Sequence, residues 1–589
     1  MERFGQIVDT LDRWVWQTGI PFEGEKIPFV VLALIGTGVY LTIRLGFVQL
    51  RRLGHGFAVT TGRYDDPSEP GDVSHFQALT TALSATVGIG NIAGVAIAIH
   101  WGGPGALFWM WVTAFLGMAT KFTEVTLAQH YRDVDPTADR IRGTVAGGPM
   151  YYIEKGLGSK WKWLAVIFAA LLGTTAFLTG NAIQANTVSD TMRTTFGVPT
   201  WISGLITSGL VAAVILGGIT RIGRVTSVLA PAMAVIYVGG ALVVMLKFYD
   251  RILPTFGLIF REAFNPSAGI AGTGIGIFLV TMMWGVRRGL FSNEAGQGSA
   301  PIAHAAAQTD EPVSEGVVAL LEPFIDTIII CTMTAMVIII TGVWDDRHPT
   351  EIPLTGGDLS YITRTEEGRR IVLAEPAEIR IADGFHADTS PGMPRVAWHE
   401  VMIARLYLDP ALAAPFTGVV RAARGPTVPG VAITDDGTRY AVLYGEAVES
   451  GAPLTALGFR QGLPGQWGDL IVVLAVLLFA VSTAISWSYY GDRCAYYLFG
   501  AKAIVPYKIV FVLMHFIGAV LALADVWALG DIFLGLVILP NLLALLLLSP
   551  KVVGLTNSYF QRRPWLENYE VHKRLAAERR ARREGRDGP

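Results

Sequence analysis

Long runs of apolar residues are the feature that most constrains the fold of this chain. A helix that crosses a bilayer needs about 20 mostly apolar residues, with a range of roughly 17–25. Only 16% of the residues are charged, against about 25% in soluble domains. The sequence therefore predicts an all-α polytopic membrane protein with about 11 transmembrane helices. These lie near 28–47, 76–101, 104–130, 163–187, 200–219, 226–248, 270–290, 315–343, 468–491, 504–526 and 528–548.

The remaining composition excludes several classes of protein. A formal net charge of −2 provides no basic surface for a nucleic acid. Cys331 and Cys494 are the only cysteines, which is too few for a disulfide framework or a zinc site. The first 27 residues contain no apolar core of the kind found in a secretory signal. The sequence contains no G-x-x-x-x-G-K-[ST] motif, which would indicate ATP binding. We expect no cofactor.

Basic residues predict how the chain is oriented in the membrane, because cytoplasmic loops are enriched in Lys and Arg. The loops after the odd-numbered spans are basic, whereas "HWGGPG" at 100–105 has no Lys or Arg. We therefore expect a protein of the bacterial plasma membrane. Residues 1–27 would lie outside the cell, and a basic tail, 551–589, would lie in the cytoplasm. The charges counted on the inner side are Arg44, Arg51, Arg52, Arg63, Arg132, Arg140, Arg142, Lys155, Lys160, Arg221, Arg224, Arg287, Arg288, Arg493, Lys502 and Lys508.

One long segment, 345–465, is polar and separates spans 1–8 (28–344) from spans 9–11 (466–550). It contains "RRIVLAEPAEIRIADG" and "GVAITDDGTRYAVLYGE", in which β-branched residues alternate and "DG" pairs punctuate the runs. Such a pattern is typical of strands and hairpins. We expect a β-rich insert, which the number of preceding spans places outside the cytoplasm.

The second span, "TALSATVGIGNIAGVAIAI" at 81–99, carries residues that oppose a continuous helix. Glycine weakens a helix by roughly 1 kcal/mol relative to alanine, and asparagine favours caps and turns. A dinucleotide fingerprint at Gly88, Gly90 and Ala93 would need a βαβ unit, which an apolar span does not provide. Close helix packing explains the glycines but does not explain Asn91.

A discontinuous helix explains all of these residues, because irregular backbone is tolerated at membrane depth where it lines a cavity. Amides freed at 88–90 can hold a carboxylate at the start of a half-helix. Carbonyl groups near Ser84 and Val87, with side-chain oxygens of Thr86 and Asn91, can coordinate a cation. The pattern therefore predicts a site for a zwitterion and a cation.

A transporter of this kind is built from inverted repeats and has a matching interrupted helix in its other half. Five spans later, "GIAGTGIGIFLVTMMWGVRRG" contains Gly269, Gly272, Gly274, Gly276 and Gly285. We therefore expect the second break in this glycine-rich stretch. Spans 2–6 and 7–11 would form a five-plus-five inverted repeat with span one as an extra helix.

Polar residues in other spans are candidates to contact the interrupted parts of spans two and seven. Asn181 and Gln184 lie one turn apart in span four, and Ser482, Thr483 and Trp487 lie in span nine. Trp487 either faces the substrate or lies at the membrane interface, where aromatic residues gather.

Charged residues inside the spans are a second group of candidates. Asp326 either handles a cation or forms a structural pair at the end of its span. For Lys121 and Glu124, three residues apart in span three, we expect a local ion pair.

The sequence resembles the alanine or glycine:cation symporter family, the sodium:alanine symporters. The block "RGLFSNEAGQGSAP" is the most specific resemblance, whereas 345–465 and the tail lie outside it. The other similar stretches are "TALSATVGIGNIAGVAIAI", "GGPGALFWMWVTAFLGMATKFTEVTLA", "GGPMYYIEKGLG", "GNAIQANTVSD", "FIDTIIICTMTA" and "STAISWSYYGDR".

The resemblance implies the leucine-transporter-like fold of the amino acid–polyamine–organocation superfamily, with a small amino acid between two broken helices. The substrate residues it implies are Gly88, Ile89, Gly90, Asn91, Gln184, Phe278, Val280, Thr483 and Trp487. For the coupling cation, the resemblance implies Ser84, Val87, Ser482 and Thr483 as ligands. The helix-break pattern described above adds Thr86 and Asn91 to these candidates.

These expectations predict a symporter that imports alanine or glycine with sodium and is not an enzyme. Proton coupling is the alternative, and an ion channel is a further one. A membrane enzyme would need the insert as its catalytic domain, with His386, Asp388 and His399 as candidate side chains. No metal-ligand spacing or nucleophile motif supports it.

Overall fold

The computed structural model describes residues 10–584 apart from several short stretches. Each of the eleven predicted spans is helical over most of its described length. The stretches outside the description are 12, 23–24, 136, 138–142, 267–274, 355–358, 365–369, 374–377, 400, 423–429 and 522.

Helices make up most of the described chain, and short 3₁₀ or π-helical turns extend or connect several of them. The α-helices are α1 Phe29–Arg44, α2 Val48–Thr60, α3 His75–Thr86, α4 Ala93–Gly102, α5 Ala106–Tyr131, α6 Pro149–Tyr151, α7 Lys162–Phe177, α8 Ile183–Phe196, α9 Thr200–Ile215, α10 Gly218–Lys247, α11 Ile252–Phe264, α12 Ile275–Asn293, α13 Ala300–His304, α14 Pro312–Ala319, α15 Leu321–Pro323, α16 Thr332–Thr341, α17 Gly451–Gly462, α18 Trp467–Phe499, α19 Ile504–Val520, α20 Leu523–Arg562 and α21 Trp565–Glu584. The short turns are Arg13–Gln17, Ile89–Asn91, Tyr152–Gly156, Ser159–Trp161, Leu178–Ala182, Tyr249–Arg251, Phe324–Cys331 and Ala501–Ala503.

Within the described residues, six helices are long and apolar enough to cross a membrane, or up to eight if each of two bent pairs is one span. The bent pairs are α1 with α2, at 78°, and α3 with Ile89–Gly102, at 61°. The chain is therefore a multi-pass membrane protein, and the number of eleven spans stays a prediction. The six are Ser159–Arg193, Gly218–Lys247, Pro312–Thr341, Trp467–Phe499, Ala501–Val520 and Leu529–Arg562.

The helix α18 lies at the centre of the helical body. Every residue from Phe479 to Ala495 is buried, as expected for a helix that neighbours surround on all sides. The hydroxyl groups of Ser482 and Thr483 are buried with it, next to the end of α3. This packing brings polar residues of spans two and nine together.

The polar segment after α16 contains strands, as the alternating pattern predicts. They form three antiparallel sheets, ordered β11-β10-β6-β7, β12-β16-β5 and β15-β14-β13-β8-β9, around a core of their own that includes Ile381 and Phe416. The strands are β5 His348–Pro353, β6 Leu359–Arg364, β7 Arg370–Leu373, β8 Ile379–Ala382, β9 Phe385–His386, β10 Arg395–Trp398, β11 Val401–Met402, β12 Leu406–Tyr407, β13 Gly418–Arg421, β14 Val431–Thr434, β15 Arg439–Tyr440 and β16 Val442–Ala447. Earlier in the chain are β1 Gly19–Phe22, β2 Glu25–Pro28, β3 Asp133–Val134 and β4 Val145–Ala146.

Two predicted boundaries differ from the structure. The helix α17 lies inside 345–465 but packs on the helical body, where Thr455 Oγ1 donates to the carbonyl of Ile92 at 3.0 Å. The strand-forming part therefore ends at Ala447. At the other boundary, α20 runs from Leu523 to Arg562 without interruption, so the last span and the beginning of the basic tail are one helix.

Two arginines counted as inner-side charges have a different position in the structure. Arg287 and Arg288 lie within α12 rather than in a loop. Arg287 Nη2 is 2.5 Å from Asp531 Oδ2, and Arg288 is 5% exposed. Arg288 is buried and Arg287 is partly buried, and both face the acid Asp531 inside the helical body, so they cannot count towards a loop charge bias.

Candidate functional site

The helix interruption predicted in "GIGN" is present in the structure. The helix α3 ends at Thr86, and a single 3₁₀ turn, Ile89–Asn91, separates it from α4. The Gly88 amide donates to Oδ1 of Asn91 at 2.9 Å. An asparagine side chain thus takes the place of a helical carbonyl, which explains its position in an apolar span.

Side chains of two other helices contact the irregular backbone. The Ile89 amide donates to Gln184 Oε1 at 3.5 Å. A Cβ atom added to Gly88 would lie 2.7 Å from Thr483 Oγ1 and 3.4 Å from Gln184 Oε1. Gly88 is required because any side chain would collide with Thr483. The structure therefore brings together Gly88, Ile89, Gln184 and Thr483, as the sequence predicted.

Three oxygen-bearing groups converge at the end of α3. Thr483 Oγ1 donates to the Ser84 carbonyl at 3.0 Å, and Ser482 Oγ lies 3.4 Å from the same oxygen. The Ser84 hydroxyl is buried and has no hydrogen-bond partner among the described residues. Thr86 differs, because its hydroxyl lies 3.3 Å from the carbonyls of Ala82 and Leu83 in its own helix.

Asn91 belongs to a second polar cluster. Its Nδ2 atom donates to Asp326 Oδ1 at 2.6 Å. The other carboxylate oxygen of Asp326 accepts from Ser292 at 2.6 Å and from Thr327 at 2.7 Å. Both carboxylate oxygens therefore accept hydrogen bonds from protein groups. This is what we expect if Asp326 has a structural role rather than a role in handling a cation. Asp326 is fully buried and links the turn Ile89–Asn91 to the end of α12.

The described part of the stretch predicted to hold the second interruption is a continuous helix. The helix α12 is continuous from Ile275 to Asn293 and includes Gly276 and Gly285, while Gly269, Gly272 and Gly274 lie outside the described residues. A Cβ on Gly285 would lie 2.4 Å from the Ala106 carbonyl oxygen, so this glycine serves helix packing. The helix instead stops before "EAGQGS", residues 294–299, in which Glu294, Gly296 and Gly298 have φ values of +55°, +90° and +77°.

Two predicted substrate residues, Phe278 and Val280, lie far from the first break. A helix rises about 1.5 Å per residue, so Phe278 and Val280 lie roughly 20 Å along α12 from Ser292. The Phe278 ring packs 5.7 Å from Trp109. Phe291 lies beside the first break instead, where its Cδ1 would be 2.9 Å from a Cβ on Gly90. Phe278 and Val280 therefore do not meet the first break in this structure, and their role in substrate binding stays a prediction.

Trp487 lies in the interior rather than at the membrane interface. Its side chain is 1% exposed, and its Nε1 donates to Glu294 Oε1 at 3.0 Å. The indole ring covers Gly180, in the π-helical turn Leu178–Ala182. The sequence analysis missed Glu294, although the polar run "SNEAGQGS" beside an apolar helix is a signal for it.

Two further polar predictions are corrected by the structure. Lys121 Nζ lies 3.0 Å from Glu322 Oε2 instead of pairing with Glu124. Glu124 accepts from the Gly298 amide and from Asn541. Asn181 faces away from the break, where its Nδ2 donates to the Phe511 carbonyl at 2.7 Å.

All of the side chains around the first break are buried. The exposed fraction does not exceed 3% for Ser84, Thr86, Val87, Ile89, Asn91, Gln184, Ser482, Thr483 or Trp487. The site is therefore closed to solvent from both sides in this structure.

The candidate enzyme residues of the insert have separate structural contacts. His386 Nε2 accepts from the Val396 amide at 2.9 Å, and Asp388 accepts from the Ser390 amide at 2.9 Å. The carbonyl of His399 lies 3.1 Å from His100 Nε2. Across the described part of the chain, no three His, Cys, Asp or Glu side chains are arranged to hold a metal ion.

Comparison with known proteins identifies the family. The model of the sodium:alanine symporter family matches residues 1–364 and 431–573. The sodium/alanine symporter AgcS of Methanococcus maripaludis is 38% identical over 94% of this chain and 97% of its own length. A Haemophilus influenzae transporter is 36% identical over 94% and 96%, and the probable sodium/glutamine symporter GlnT of Bacillus subtilis is 30% identical over 90% and 87%.

The family match is wider than the resemblance predicted. It includes 345–364, 431–465 and the tail as far as 573, all of which were expected to lie outside. Only 365–430 interrupts it, within the strand-rich insert. The match thus covers the broken helix α3–α4 and the helices that contact it. This chain belongs to the sodium:alanine symporter family.

Proposed function

We propose that this protein is a secondary active symporter that imports a small neutral amino acid, alanine or glycine, together with sodium. The observation that carries the proposal is the break between α3 and α4, which Gln184 and Thr483 contact from two other helices. The family and AgcS both bear the name of a sodium:alanine symporter. The relative GlnT is named as a probable sodium/glutamine symporter, and glutamine is larger than alanine. The size of the substrate must therefore be argued from the site itself.

The substrate carboxylate would bind the amides of Gly88, Ile89 and Gly90. These amides lie at the start of a half-helix, where the partial positive charge of the helix dipole favours an anion. Oxygens of Asn91 and Gln184 accept from two of these amides, and a carboxylate oxygen would replace them with stronger, charge-assisted bonds. Asn91 and Gln184 are therefore the side chains that must move when substrate binds.

Bulky side chains near the break support the proposed preference for alanine or glycine. The Phe291 ring lies against Gly90. The Trp487 ring is buried and held by Glu294, which follows the end of α12. Both rings are fixed by packing, and enlarging a contact in a packed interior costs about 1–3 kcal/mol. A larger amino acid side chain would have to displace one of them.

Sodium would bind where oxygens converge on Ser84. The Ser84 carbonyl and hydroxyl and the hydroxyls of Ser482 and Thr483 are oxygen ligands, which hard cations prefer. The Val87 carbonyl, at the end of the same helix, would complete the set. The contacts of Thr86 and Asn91 point elsewhere, so we leave both out of the cation site. Sodium held here would order the break and prepare it for the amino acid.

Alternating access then moves both solutes. We infer an inverted repeat that places the two broken helices face to face, with the N-terminus outside and the C-terminus in the cytoplasm. One cation moving down 100 mV supplies about 2.3 kcal/mol, which corresponds to roughly a fifty-fold concentration ratio. A membrane potential therefore provides enough free energy to concentrate the amino acid without ATP.

Uptake of radiolabelled alanine into sealed proteoliposomes tests the proposal. We expect an inward sodium gradient to drive accumulation and a potassium gradient of equal size to fail. Accumulation that ignores sodium and follows an inward proton gradient would establish the proton-coupled alternative. Flux that does not saturate with alanine would indicate a channel.

A substitution at the cation site makes the test specific. Thr483→Val keeps the shape and removes one hydroxyl, so we expect the sodium concentration for half-maximal uptake to rise about tenfold or more. Thr175→Val is the matched control, because the Thr175 hydroxyl is also buried but bonds only the Leu171 carbonyl of its own helix among the described contacts. An unchanged sodium dependence in Thr483→Val would exclude this cation site.

A further inference from the structure

Two short segments meet at the end of the helical body where Arg132 lies. The first, 70–73, leads into α3, and the second, 305–309, follows α13. Helix α3 is one half of the broken second span, and α13 comes directly after the irregular stretch 294–299. By the predicted number of preceding spans, both segments lie at the end that we propose faces the cytoplasm. Any movement of α3 or α13 at this end must move one of them.

The two segments are paired through their backbones. The Asp72 amide donates to the Ala306 carbonyl at 2.8 Å. The Gln308 amide donates to the Val73 carbonyl at 2.8 Å, and Val73 forms a parallel bridge with Ala307. Hydrogen bonds in both directions therefore hold the segments side by side, so α3 cannot move away from α13 without breaking them.

Arg132 bonds carbonyl groups of both segments at once. Its Nη1 atom donates to the carbonyls of Ala305 and Ala307 at 2.8 and 2.7 Å. Its Nη2 atom donates to the carbonyl of Pro70 at 3.0 Å and to that of Thr309 at 2.5 Å. A guanidinium group presents several N–H donors in a rigid planar fork, so one side chain joins four carbonyl oxygens. We call Arg132 and the two segments the inner clasp.

The inner clasp is anchored to a third part of the molecule. Arg132 directly follows α5, which ends at Tyr131, and precedes strand β3. Thr144, just before strand β4, donates to Asp72 Oδ1 from its amide at 2.9 Å and from its hydroxyl at 2.7 Å. Strands β3 and β4 pair with each other. The end of α5 therefore holds the segment before α3 both through Arg132 and through the strand pair that follows it.

Gly71 shows how closely the two segments approach each other. A Cβ atom added to Gly71 would lie 2.5 Å from both the backbone nitrogen and the Cα atom of Gln308. Backbone atoms of a paired segment cannot yield as the end of a flexible side chain can. Glycine is required here because it allows this close approach, and any other residue would push the segments apart.

We propose that Arg132 is a positioning residue for transport, whose bonds in the inner clasp keep the site closed towards the cytoplasm. The inference rests on the proposed symport and deepens it by naming the residue that governs inward release. Movement of α3 would separate Arg132 from Pro70, and movement of α13 would separate it from the carbonyls of 305–309. Arg132 thus acts through the positions of α3 and α13 and sets the population of the form that is open to the cytoplasm.

Weakening the inner clasp should have different consequences at the two faces of the membrane. External alanine binds a form whose inner clasp is closed, and the apparent affinity for a ligand falls with the population of the form that binds it. Internal alanine binds the form whose clasp is open, so its apparent affinity stays the same or rises. A general loss of stability would lower activity without producing this asymmetry.

The test measures the half-saturating alanine concentration at each face, in right-side-out and inside-out membrane vesicles with saturating sodium. Arg132→Lys keeps the charge but replaces the planar fork with a single ammonium group. We expect the external value to rise about tenfold, which corresponds to about 1.4 kcal/mol, and the internal value not to rise. Arg221→Lys is the matched control, because Arg221 Nη1 bonds the Ala213 carbonyl outside the inner clasp. Both of its values should be unchanged.

A second variant tests the inner clasp without changing a charge. Gly71→Ala should produce the same asymmetry, because its Cβ would force the two segments apart. Gly54→Ala is its control, since no atom lies within 4 Å of the added Cβ. If Arg132→Lys does not fold, Gly71→Ala decides.

Hydrogen–deuterium exchange of the full-length variants shows whether the effect is local. Peptides that cover 70–73 and 305–309 should exchange about tenfold faster in Arg132→Lys or Gly71→Ala, because their amides bond across the inner clasp. Exchange in the buried part of α18, 479–495, should be unchanged. Equally faster exchange in both regions would indicate a global loss of stability and would overturn the inference.

The transport outcomes separate this inference from the proposed function. Equal changes at both faces, or no change at either face, in Arg132→Lys and Gly71→Ala would overturn the role of the inner clasp and leave the symporter intact. Absence of saturable, sodium-driven alanine uptake in wild-type vesicles would refute the proposed function instead.

Discussion

Single residues control how closely the helices approach at the first break. Gly88 lies so near Thr483 that the backbone of α3 and the side chain of α18 are in direct contact. Gly180 performs the same role for Trp487, because a Cβ there would lie 2.2 Å from the indole Cγ. Small residues at these positions bring the backbone to the polar groups that the proposed function requires.

The substitution Gly88→Ala should abolish most transport. Its Cβ would lie 2.7 Å from Thr483 Oγ1, and overpacking of this kind typically costs about 1–3 kcal/mol. We expect the maximal rate of alanine uptake to fall at least about tenfold. Gly36→Ala is the control, because no atom lies within 4 Å of its added Cβ. Its thermal stability should stay the same or rise. Normal uptake by Gly88→Ala would contradict the inference that Gly88 and Thr483 must be in close contact.

The substitution Trp487→Phe removes the hydrogen bond to Glu294. A buried acceptor that loses its donor costs about 1–3 kcal/mol, so the thermal midpoint of unfolding should fall. The alanine concentration for half-maximal uptake should rise, because the ring is no longer held. Trp467→Phe is the matched control at the exposed start of the same helix, where the side chain is 63% exposed. Equal effects of both substitutions would remove Trp487 from the site.

At the scale of elements, the insert is attached to the helical body by a two-stranded stem. Strand β5 pairs with β16 from His348↔Ala447 to Pro353↔Val442. The rest of the insert lies between these partners and has its own core. Its attachment through two paired strands explains how residues 365–430 can interrupt the family match without disturbing the helices.

Removing the insert should therefore preserve transport. Residues 354–441 can be deleted and Pro353 joined to Val442 through two residues of a tight turn, because the two positions are neighbours across the strands. We expect sodium-dependent alanine uptake within about threefold of the full chain, since a twofold change in the length of a surface loop alters its closure free energy by only about 0.6 kcal/mol. Loss of uptake by a variant that stays monodisperse in detergent would show that the insert takes part in transport.

The insert should lose stability in acid because of His386. Burial, with a contribution from Arg395, lowers the pKa of His386 from 6.5 to about 4. The unfolded insert binds a proton below pH 6.5 and the folded one does not, so stability is full above pH 6.5 and falls as the pH drops towards 4. The loss reaches about 3 kcal/mol at the acid limit.

Hydrogen–deuterium exchange of β10 measures this effect, after correction for the intrinsic pH dependence of exchange. Protection should decrease between pH 7 and pH 5, because the Val396 amide donates to the unprotonated His386 Nε2. His386→Asn should show a weaker pH dependence. Equal protection at both pH values in the wild-type chain would contradict the assigned role of the ring.

At the scale of the whole molecule, the structure represents a closed arrangement of the site. Residues from α3, α8, α12 and α18 meet at the first break, and the described side chains there, including Phe291 at 7% exposure, are buried. Cys331 lies within this region, where its Sγ atom is 3.3 Å from Asn91 Nδ2 and 3.1 Å from Ser292 Oγ. A reagent can reach this thiol only if the molecule opens.

Labelling of Cys331 by a maleimide should therefore report the opening of the site. In a Cys494→Ser background, we expect slow labelling with sodium and alanine present, because both solutes would favour the closed form. Labelling should be several-fold faster without sodium, in proportion to the open population. Cys331→Ser gives the background rate. Rapid labelling that is independent of both solutes would contradict a closed, substrate-bound form.

The sequence by itself determined the membrane class, the helical segments, the first break and the strands of the insert. These features depend on local patterns: the length of an apolar run, an asparagine between glycines in a span, and the alternation of β-branched residues. Gly88, Ile89, Gln184 and Thr483 were also predicted to be close, and the structure places them in contact.

Only the tertiary structure decided that the described part of the glycine-rich stretch is a continuous helix and which buried charges pair. Glycine-rich stretches either break a helix or let two helices approach, and Gly285 does the latter because the Ala106 backbone lies against it. Lys121 pairs with Glu322, 201 positions away in the chain, rather than with Glu124 one turn along its own helix. A buried charge is stabilised by whichever opposite charge packing brings within reach, and packing joins residues that sequence separates.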